Sequence, residues 1–600
     1  MTADRESFQG EASWDEKKSS SEGRSSSDLR EKVVVVPEAN IAIQADRKSI
    51  DEKRSTDGKA EGHGDTTNDD DKYLTGLPLV VLLVAVLAAV FIVALSNTII
   101  STAIPTLTTV FNSYDDIAWY TSGEQLTATA FQLPFGRAYA FLNLKWTFLG
   151  SLLVYLLGSL VCAVAPSSFV LILGRAIAGI GNAGVFTGVF VIIARSVALR
   201  KRALYAGLIG ATFAIAAVLG PIVGGLFTED VTWRWCFYIN LPIGAVSVAI
   251  IVFFMPVTLG RASKDLKSLT WWQYFLKFDP FGSVLVLAST ICLLLALQWG
   301  GAEYPWSNWR VITVFVVFGL TLIVWLVVQY FQGEEATVPG SVAKQRTVAG
   351  ASLYSVILSA AVQIVIYFVP IWYQSVQGDS PKSAGIKQVS LVIGLSLFAI
   401  IGGGVVAKTG YYVPIIICGT IFSSVGAGLL YTIDLNTGLW RILGYQFIFA
   451  AGIGLSLEQC NVAVQTVLPD NKIPQGTSLI LFARGLGTAI AGPIAQSVLQ
   501  QGLYKHFGRK AAAEVFNASG ATDTRANLER IFGKDTAALR VAFRGLNDSV
   551  TRTFLVALVL ACLTVLVIPL IEWKDVKKEG REEDDRREGK KPNKNKKEDA

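Results

Sequence analysis

Between residues 77 and 571 the chain is a succession of apolar runs, each close to or above the ~20 residues a helix needs to cross a bilayer at ~1.5 Å per residue. We read fourteen: 77–104, 117–136, 146–165, 169–194, 203–227, 235–256, 280–299, 311–331, 350–373, 386–406, 414–432, 442–467, 477–500 and 553–571. Inside hydrocarbon every backbone N–H and C=O must be paired within the protein, so the runs are read as helices and the fold class as an all-α polytopic membrane protein. Composition agrees through its distribution. The chain is 52% hydrophobic and 17% charged, and the charges gather in the two tails, the short loops and one long loop.

Those charges orient the spans. Arg137 and Lys145 follow span two, Arg195, Arg200, Lys201 and Arg202 follow span four, and Arg261, Lys264 and Lys267 follow span six. Lys344, Arg346 and Lys408 continue the series, whereas the opposite loops carry Asp115, Asp116, Glu229, Asp230, Glu303 and Asp434. Basic residues stay in the cytoplasm, and an even span count puts both termini there. Residues 1–76 are rich in Ser, Asp, Glu, Lys and Gly and are expected to form a disordered cytoplasmic tail. Residues 257–279 are expected to lie along the inner interface through Trp271, Trp272, Tyr274, Phe275 and Phe278, and 572–600 to be a solvated charged tail. The loop 501–552 is then extracellular and holds the Asn-x-Ser sequons at Asn517 and Asn547, read as N-glycosylation sites.

Several chemistries are excluded at this level. The six cysteines lie in or beside apolar runs with no CxxC spacing, and the only histidines are His63 and His506. No metal centre, histidine relay or cofactor site is expected, nor an enzyme or a nucleic-acid partner.

Span five contains Ala-Ala-Val-Leu-Gly-Pro-Ile-Val-Gly-Gly, residues 216–225. Gly220-Pro221 followed by Gly224-Gly225 would break a soluble helix, but neighbouring helices in a membrane can satisfy the freed backbone groups. Small residues also admit a second helix at close range, and Pro221 is expected to set a kink. Other stretches accompany it: Val93-Ala-Leu-Ser-Asn-Thr-Ile-Ile in span one, Gly174-Arg-Ala-Ile-Ala-Gly-Ile-Gly in span four, and Thr232-Trp-Arg-Trp-Cys-Phe-Tyr-Ile-Asn-Leu-Pro after span five. Span seven ends Leu-Gln-Trp-Gly-Gly at 301, and span nine holds Tyr367-Phe-Val-Pro-Ile-Trp-Tyr-Gln374.

Over about residues 77–570 this set resembles the fourteen-span drug:proton antiporter branch of the major facilitator superfamily, especially fungal toxin efflux pumps. The resemblance implies a six-helix bundle over 77–256, two inserted helices over 280–332, a second bundle over 333–571, and a substrate cavity between the bundles near the midplane. It implies a monomer in the plasma membrane, or a vacuolar or vesicle membrane, that exchanges a small organic molecule for protons. A faint internal repeat agrees: Gly402-Gly-Gly-Val-Val-Ala-Lys follows span ten where Gly136-Arg137 and Lys145 follow span two. There are departures. Ser96 and Tyr155 stand where relatives carry acids, and the loop 136–145 lacks the family aspartate and paired basics.

An ionised side chain at the bilayer centre costs at least ~2.5–3.5 kcal/mol, so intramembrane charges are functional candidates. There are four: Glu124 in span two, Arg175 in span four, Glu458 in span twelve and Arg484 in span thirteen. Glu124 and Arg175 are the proton-coupling candidates, with Glu124 able to replace the missing acids; the alternative is an idle Glu124 in the outer water layer. Glu458 and Arg484 are either a static bridge or substrate contacts. Asn97, Gln132, Gln363, Gln374 and Gln459 complete the cavity candidates and suit a bulky, neutral, amphipathic ligand, unless they are interhelical hydrogen bonds. The sequence thus points to secondary active efflux of a toxin, drug or secondary metabolite. The rivals are an uptake carrier or facilitator of the same fold, for an iron chelate or nutrient, and a non-transporting membrane sensor.

Overall fold

A computed structural model of the chain describes residue 73 and residues 76–113, 116–256, 277–300, 304–516, 524–532 and 536–587. Fourteen long helices occupy the expected spans. In the first half they are α1 (Leu77–Phe111), α2 (Ile117–Phe141), α3 (Leu144–Ala163), α4 (Ser168–Ser196), α5 (Leu199–Leu226) and α6 (Asn240–Phe254). Next come α7 (Pro280–Trp299) and α8 (Trp309–Gln332), then α9 (Arg346–Trp372), α10 (Val389–Thr409) and α11 (Val413–Tyr431). The last are α12, broken into Leu439–Ser456 and Gln459–Val467, α13 (Ile473–Phe516) and α14 (Thr536–Val567). Thirteen are apolar enough to cross a membrane by composition alone. The other is α2, 25 residues long but lined with Thr121, Ser122, Glu124, Gln125, Thr127, Thr129 and Gln132. These polar residues are why it falls short of the rest, and Glu124 among them belongs to the site.

Local chemistry starts and stops the helices where the sequence supplies caps. The Asn143 side chain accepts from the Lys145 and Trp146 N–H groups at the start of α3, and Asn308 accepts from Arg310 N–H at the start of α8. Gly410, at φ +90°, closes α10, a left-handed conformation that glycine adopts without strain.

The helices pack as two bundles. In α1–α6, α4 lies on α2 and α3, and α1 lies on α5 and α6. In α9–α14, α12 lies on α10 and α11, and α14 lies on α9 and α11. The bundles meet along two seams, α5 against α10 and α2 against α13. The inserted helices pack on each other, and α7 alone of the pair lies on α2 and α13. An exposed apolar helix such as α8, burying only 6% of its most apolar window, is suited to lipid.

Both seams close at the end that carries Arg195–Arg202 and Lys408, here the basic end. A methyl group on Gly403 of α10 would lie 2.2 Å from the Ala203 carbonyl of α5, and one on Gly207 of α5 would lie 2.3 Å from the Ala399 carbonyl. On the other seam Gly136 of α2 is pressed against Ser478 and the Pro474 carbonyl of α13. The two glycine segments of the faint sequence repeat are thus where the halves touch. Arg137, 1% exposed, donates to the backbone carbonyls of Lys277 (2.8 and 3.0 Å) and Glu334 (3.3 Å), tying the inserted pair to α2. Lys472, preceding α13, bonds the Glu334 carboxylate at 2.8 Å.

Two expectations change. The loop expected at 501–552 is largely helical, because α13 continues to Phe516, Thr524–Phe532 forms a further helix and α14 begins at Thr536. The tail expected to be solvated begins with α15 (Val576–Arg587), whose Val576 is fully buried and whose N–H bonds the Gly410 carbonyl at 2.8 Å. Pro221 lies inside α5, which runs on to Leu226. Residues 1–72 and the aromatic cluster Trp271–Phe275 lie outside the described residues.

Candidate functional site

The centre of the first bundle is built on Arg175. Its position on α4 between Gly174 and Gly179 lets neighbouring helices close in: a methyl group on Gly179 would lie 2.0 Å from the Thr127 hydroxyl and 2.3 Å from the Glu124 carbonyl of α2. In that tight space Arg175 and Glu124 form an ion pair with side-chain exposures of 1% and 0%. Arg175 Nη1 also donates to the Ser96 hydroxyl of α1 at 3.0 Å, and its Nε to the Tyr120 carbonyl at 2.9 Å. Asn182 Nδ2 donates to Glu124 Oε1 at 3.1 Å. Sequence reasoning passed over Asn182, although it lies two turns after Arg175 and therefore on the same face of α4.

Ser96 occupies the flank of Arg175 from α1, and the carboxylate arrives instead from α2. Glu124 is enclosed and not in contact with an outer water layer. Tyr155, at the second missing acid, donates its hydroxyl to the Ile92 carbonyl at 2.9 Å and supplies no charge.

The second pair belongs to the other bundle. Arg484 Nη1 of α13 lies 3.0 Å from Glu458 Oε1, at the break of α12, with side-chain exposures of 15% and 9%. Arg484 Nη2 also reaches the Leu457 carbonyl, which the break frees, and Asn461 Nδ2 donates to Glu458 Oε2 at 3.4 Å. Around the break Gln459 is fully buried with neither amide atom hydrogen-bonded, and Asn461 Oδ1 and Arg484 Nε are likewise unpartnered. Buried polar atoms left unpaired cost ~1–3 kcal/mol each, so this cluster is held at some expense.

The remaining residues divide. Gln132 bonds the Ala183 carbonyl at 3.3 Å and the Thr187 hydroxyl, which is an interhelical role. Asn97, Gln363 and Gln374 are half-buried. Gln363 and Gln374 are eleven residues apart, ~16 Å along a helix, too far for one small ligand group to meet both. Gly220 and Gly224 of α5 press on α1: methyl groups there would lie 2.0 Å from the Thr98 hydroxyl and 2.3 Å from the Thr102 hydroxyl. Gly225 faces open space, so only part of the glycine–proline motif seals the bundle.

Of the two sequons, Asn517 lies outside the described residues. Asn547 sits inside α14, accepting from Trp372 Nε1 at 2.7 Å and donating Nδ2 to the Ile433 carbonyl at 3.1 Å. The nitrogen that would carry a glycan is therefore engaged and buried, and the folded site has no room for a sugar. Among the described residues no group of His, Cys, Asp and Glu could hold a metal ion.

Comparison with known proteins agrees with this architecture. Residues 86–492 match the family model described as Major Facilitator Superfamily. The chain is 42% identical to "Efflux pump aflT" of Aspergillus parasiticus, over 86% of this chain and 99% of that protein. It is 41% identical to "MFS-type transporter phomT" of Diaporthe leptostromiformis, over 86% of this chain and 87% of that one. Against "MFS-type efflux pump MFS1" of Trichophyton rubrum the identity is 40%, over 87% and 97% of the two chains. Among solved structures the proton:xylose symporter XylE, at 12% identity, superposes with a TM-score of 0.53 over 84% of this chain and 98% of that one, a likeness of fold alone. The apolar helices, the two bundles, their paired seams and the full-length relatives converge: the chain belongs to the major facilitator superfamily.

Proposed function

We propose that this protein exports a small, amphipathic toxin, drug or secondary metabolite by alternating access, in exchange for protons. The observation that carries the reading is near full-length similarity, at about two residues in five, to several proteins named as efflux pumps. The basic end faces the cytoplasm, because Lys and Arg are retained on that side. The structure then corresponds to a conformation closed toward the cytoplasm, and the protein acts as a monomer in the plasma membrane.

Glu124 and Arg175 are the proton-coupling pair of this proposal, with Ser96 and Asn182 completing their shell. Glu458, Gln459 and Arg484, with Asn97, Gln363 and Gln374, are the polar groups offered to substrate. A neutral amphipathic compound suits them, since both arginines already have carboxylate partners. Glycine packing by Gly220 and Gly224 holds α1 to α5 as one rigid unit during rocking.

Comparative metabolite profiling of cells and medium, with and without the gene, tests this. Retention of one compound inside cells lacking the protein is the expected result. Depletion of a compound from the medium by the protein would instead establish uptake.

A further inference from the structure

We infer that Glu458 is a second proton-binding group, and the one whose surroundings change when the two halves rock. This rests on the proton-coupled reading above. A carboxyl can link protonation to rocking only if its environment differs between the two conformations, and only if water reaches it in at least one. Glu458 meets both conditions. Its side chain is 9% exposed and its partner Arg484 15%. It also lies on the seam between halves: a methyl group on Gly210 of α5 would stand 3.3 Å from its Cγ and 3.7 Å from Oε1.

In this conformation Glu124 is closed off from water: it is 0% exposed, and its partners Arg175 and Asn182 are both on α4 of its own bundle.

The neighbours of Glu458 are suited to a change of state. Arg484 from α13 is the charged group facing it, and Cys460 lies close by on α12 and is itself near Tyr354 of α9. From α5 the contact is Gly210, which carries no charge. The unpartnered atoms of Gln459, Asn461 and Arg484 gain water when α5 withdraws. A proton arriving from water binds the Glu458 carboxylate and dissolves its ion pair with Arg484, which keeps its charge and its bond to the Leu457 carbonyl. The same proton leaves to water once the seam has opened on the other side. No other co-reactant is involved.

The test needs no substrate. Spin labels at cysteines replacing the exposed Lys201 and Lys408 report the distance across the α5–α10 seam, in full-length protein in lipid nanodiscs with Cys292, Cys418 and Cys562 replaced by serine. Between about pH 5 and about pH 8 the wild-type distance distribution is expected to shift. Glu458→Gln is expected to lose that shift and Glu458→Asp to keep it with a moved midpoint. A Glu458→Gln protein that shifts like wild type, or a wild-type protein that does not shift, overturns the inference. If Glu458→Gln does not fold, the midpoint of Glu458→Asp decides: an unmoved midpoint overturns the inference. Flux independent of a proton gradient, with the seam still responding through Glu458, would sink the coupling reading and leave this one standing.

Discussion

Glu124 and Arg175 lie on different helices, α2 and α4, and form an ion pair closed off from solvent on every side, at 0% and 1% exposure. Removing one partner leaves the other charge buried without compensation, which costs ~3–5 kcal/mol, whereas removing both avoids that penalty. Arg175→Ala and Glu124→Ala should each lower the thermal midpoint of the purified protein sharply. The double variant should be more stable than either single one. Three midpoints in detergent check this; additive losses would mean that the pair is not coupled.

Ser96 already accepts a hydrogen bond from Arg175 Nη1 at 3.0 Å, so an acid placed there meets the same guanidinium. Glu124→Gln should lose export and stability together. Adding Ser96→Asp should restore much of both, because the carboxylate would again neutralise Arg175, from α1 instead of α2. Export and thermal midpoint of the single and double variants are the readouts.

Gly403 admits the Ala203 carbonyl only because it has no side chain. Gly403→Leu should wedge α10 from α5 and favour the conformation open at the basic end. A cysteine replacing the buried Ala206 should then react about tenfold faster with a water-soluble maleimide, the change that ~1.4 kcal/mol makes in the equilibrium. An unchanged rate would mean that the seam yields elsewhere.

Asp279 precedes α7 and holds the inserted pair. Its carboxylate accepts from Gly282 N–H (2.7 Å), Gln329 (2.7 Å), and Thr337 N–H (2.8 Å) and hydroxyl (2.6 Å). Burial alone would push this carboxyl up, but the hydrogen bonds, led by Thr337 and Gln329, outweigh it and hold it below the usual range. A carboxyl depressed by folding contributes stability above its unfolded pKa and loses it as pH falls through the folded value. Asp279→Asn should therefore lower the thermal midpoint at neutral pH, with a deficit that shrinks only below about pH 4.

Asn547 links Trp372 to the Ile433 carbonyl. Asn547→Ala should destabilise by ~1–3 kcal/mol for each of the two groups it strands. Its electrophoretic mobility before and after enzymatic deglycosylation should match wild type. A band shift specific to this variant would place a sugar there.

The spans were legible because each apolar run has only one way to satisfy its backbone in a bilayer, and Gly220-Pro221 reads correctly as helix once that solvent is assumed. Arg175, Glu124, Glu458 and Arg484 were legible for the complementary reason that charge in such runs is costly. The Glu458–Arg484 bridge was one of the two readings, since their spans are consecutive, whereas the meeting of Glu124 with Arg175 depends on which helices the fold brings together: nothing in the spacing of residues 124 and 175 joins α2 to α4. The burial of Asn547 was hidden in the same way, since the sequon is local and the Trp372 partner is 175 residues distant. The polar composition of 501–552 suggested a loop because the apolar stripe of the emerging α13 and α14 is diluted there by charge. Val576 escaped notice as a single apolar residue in a charged run, although it is what docks α15 beside Gly410.

The most direct test of proton-driven export uses inside-out membrane vesicles, the compound identified by profiling, and an imposed pH gradient with the vesicle lumen acid. The account predicts concentrative uptake that a protonophore collapses and that Glu458→Gln reduces to equilibration. Uptake at the same rate and to the same level with no gradient would contradict it.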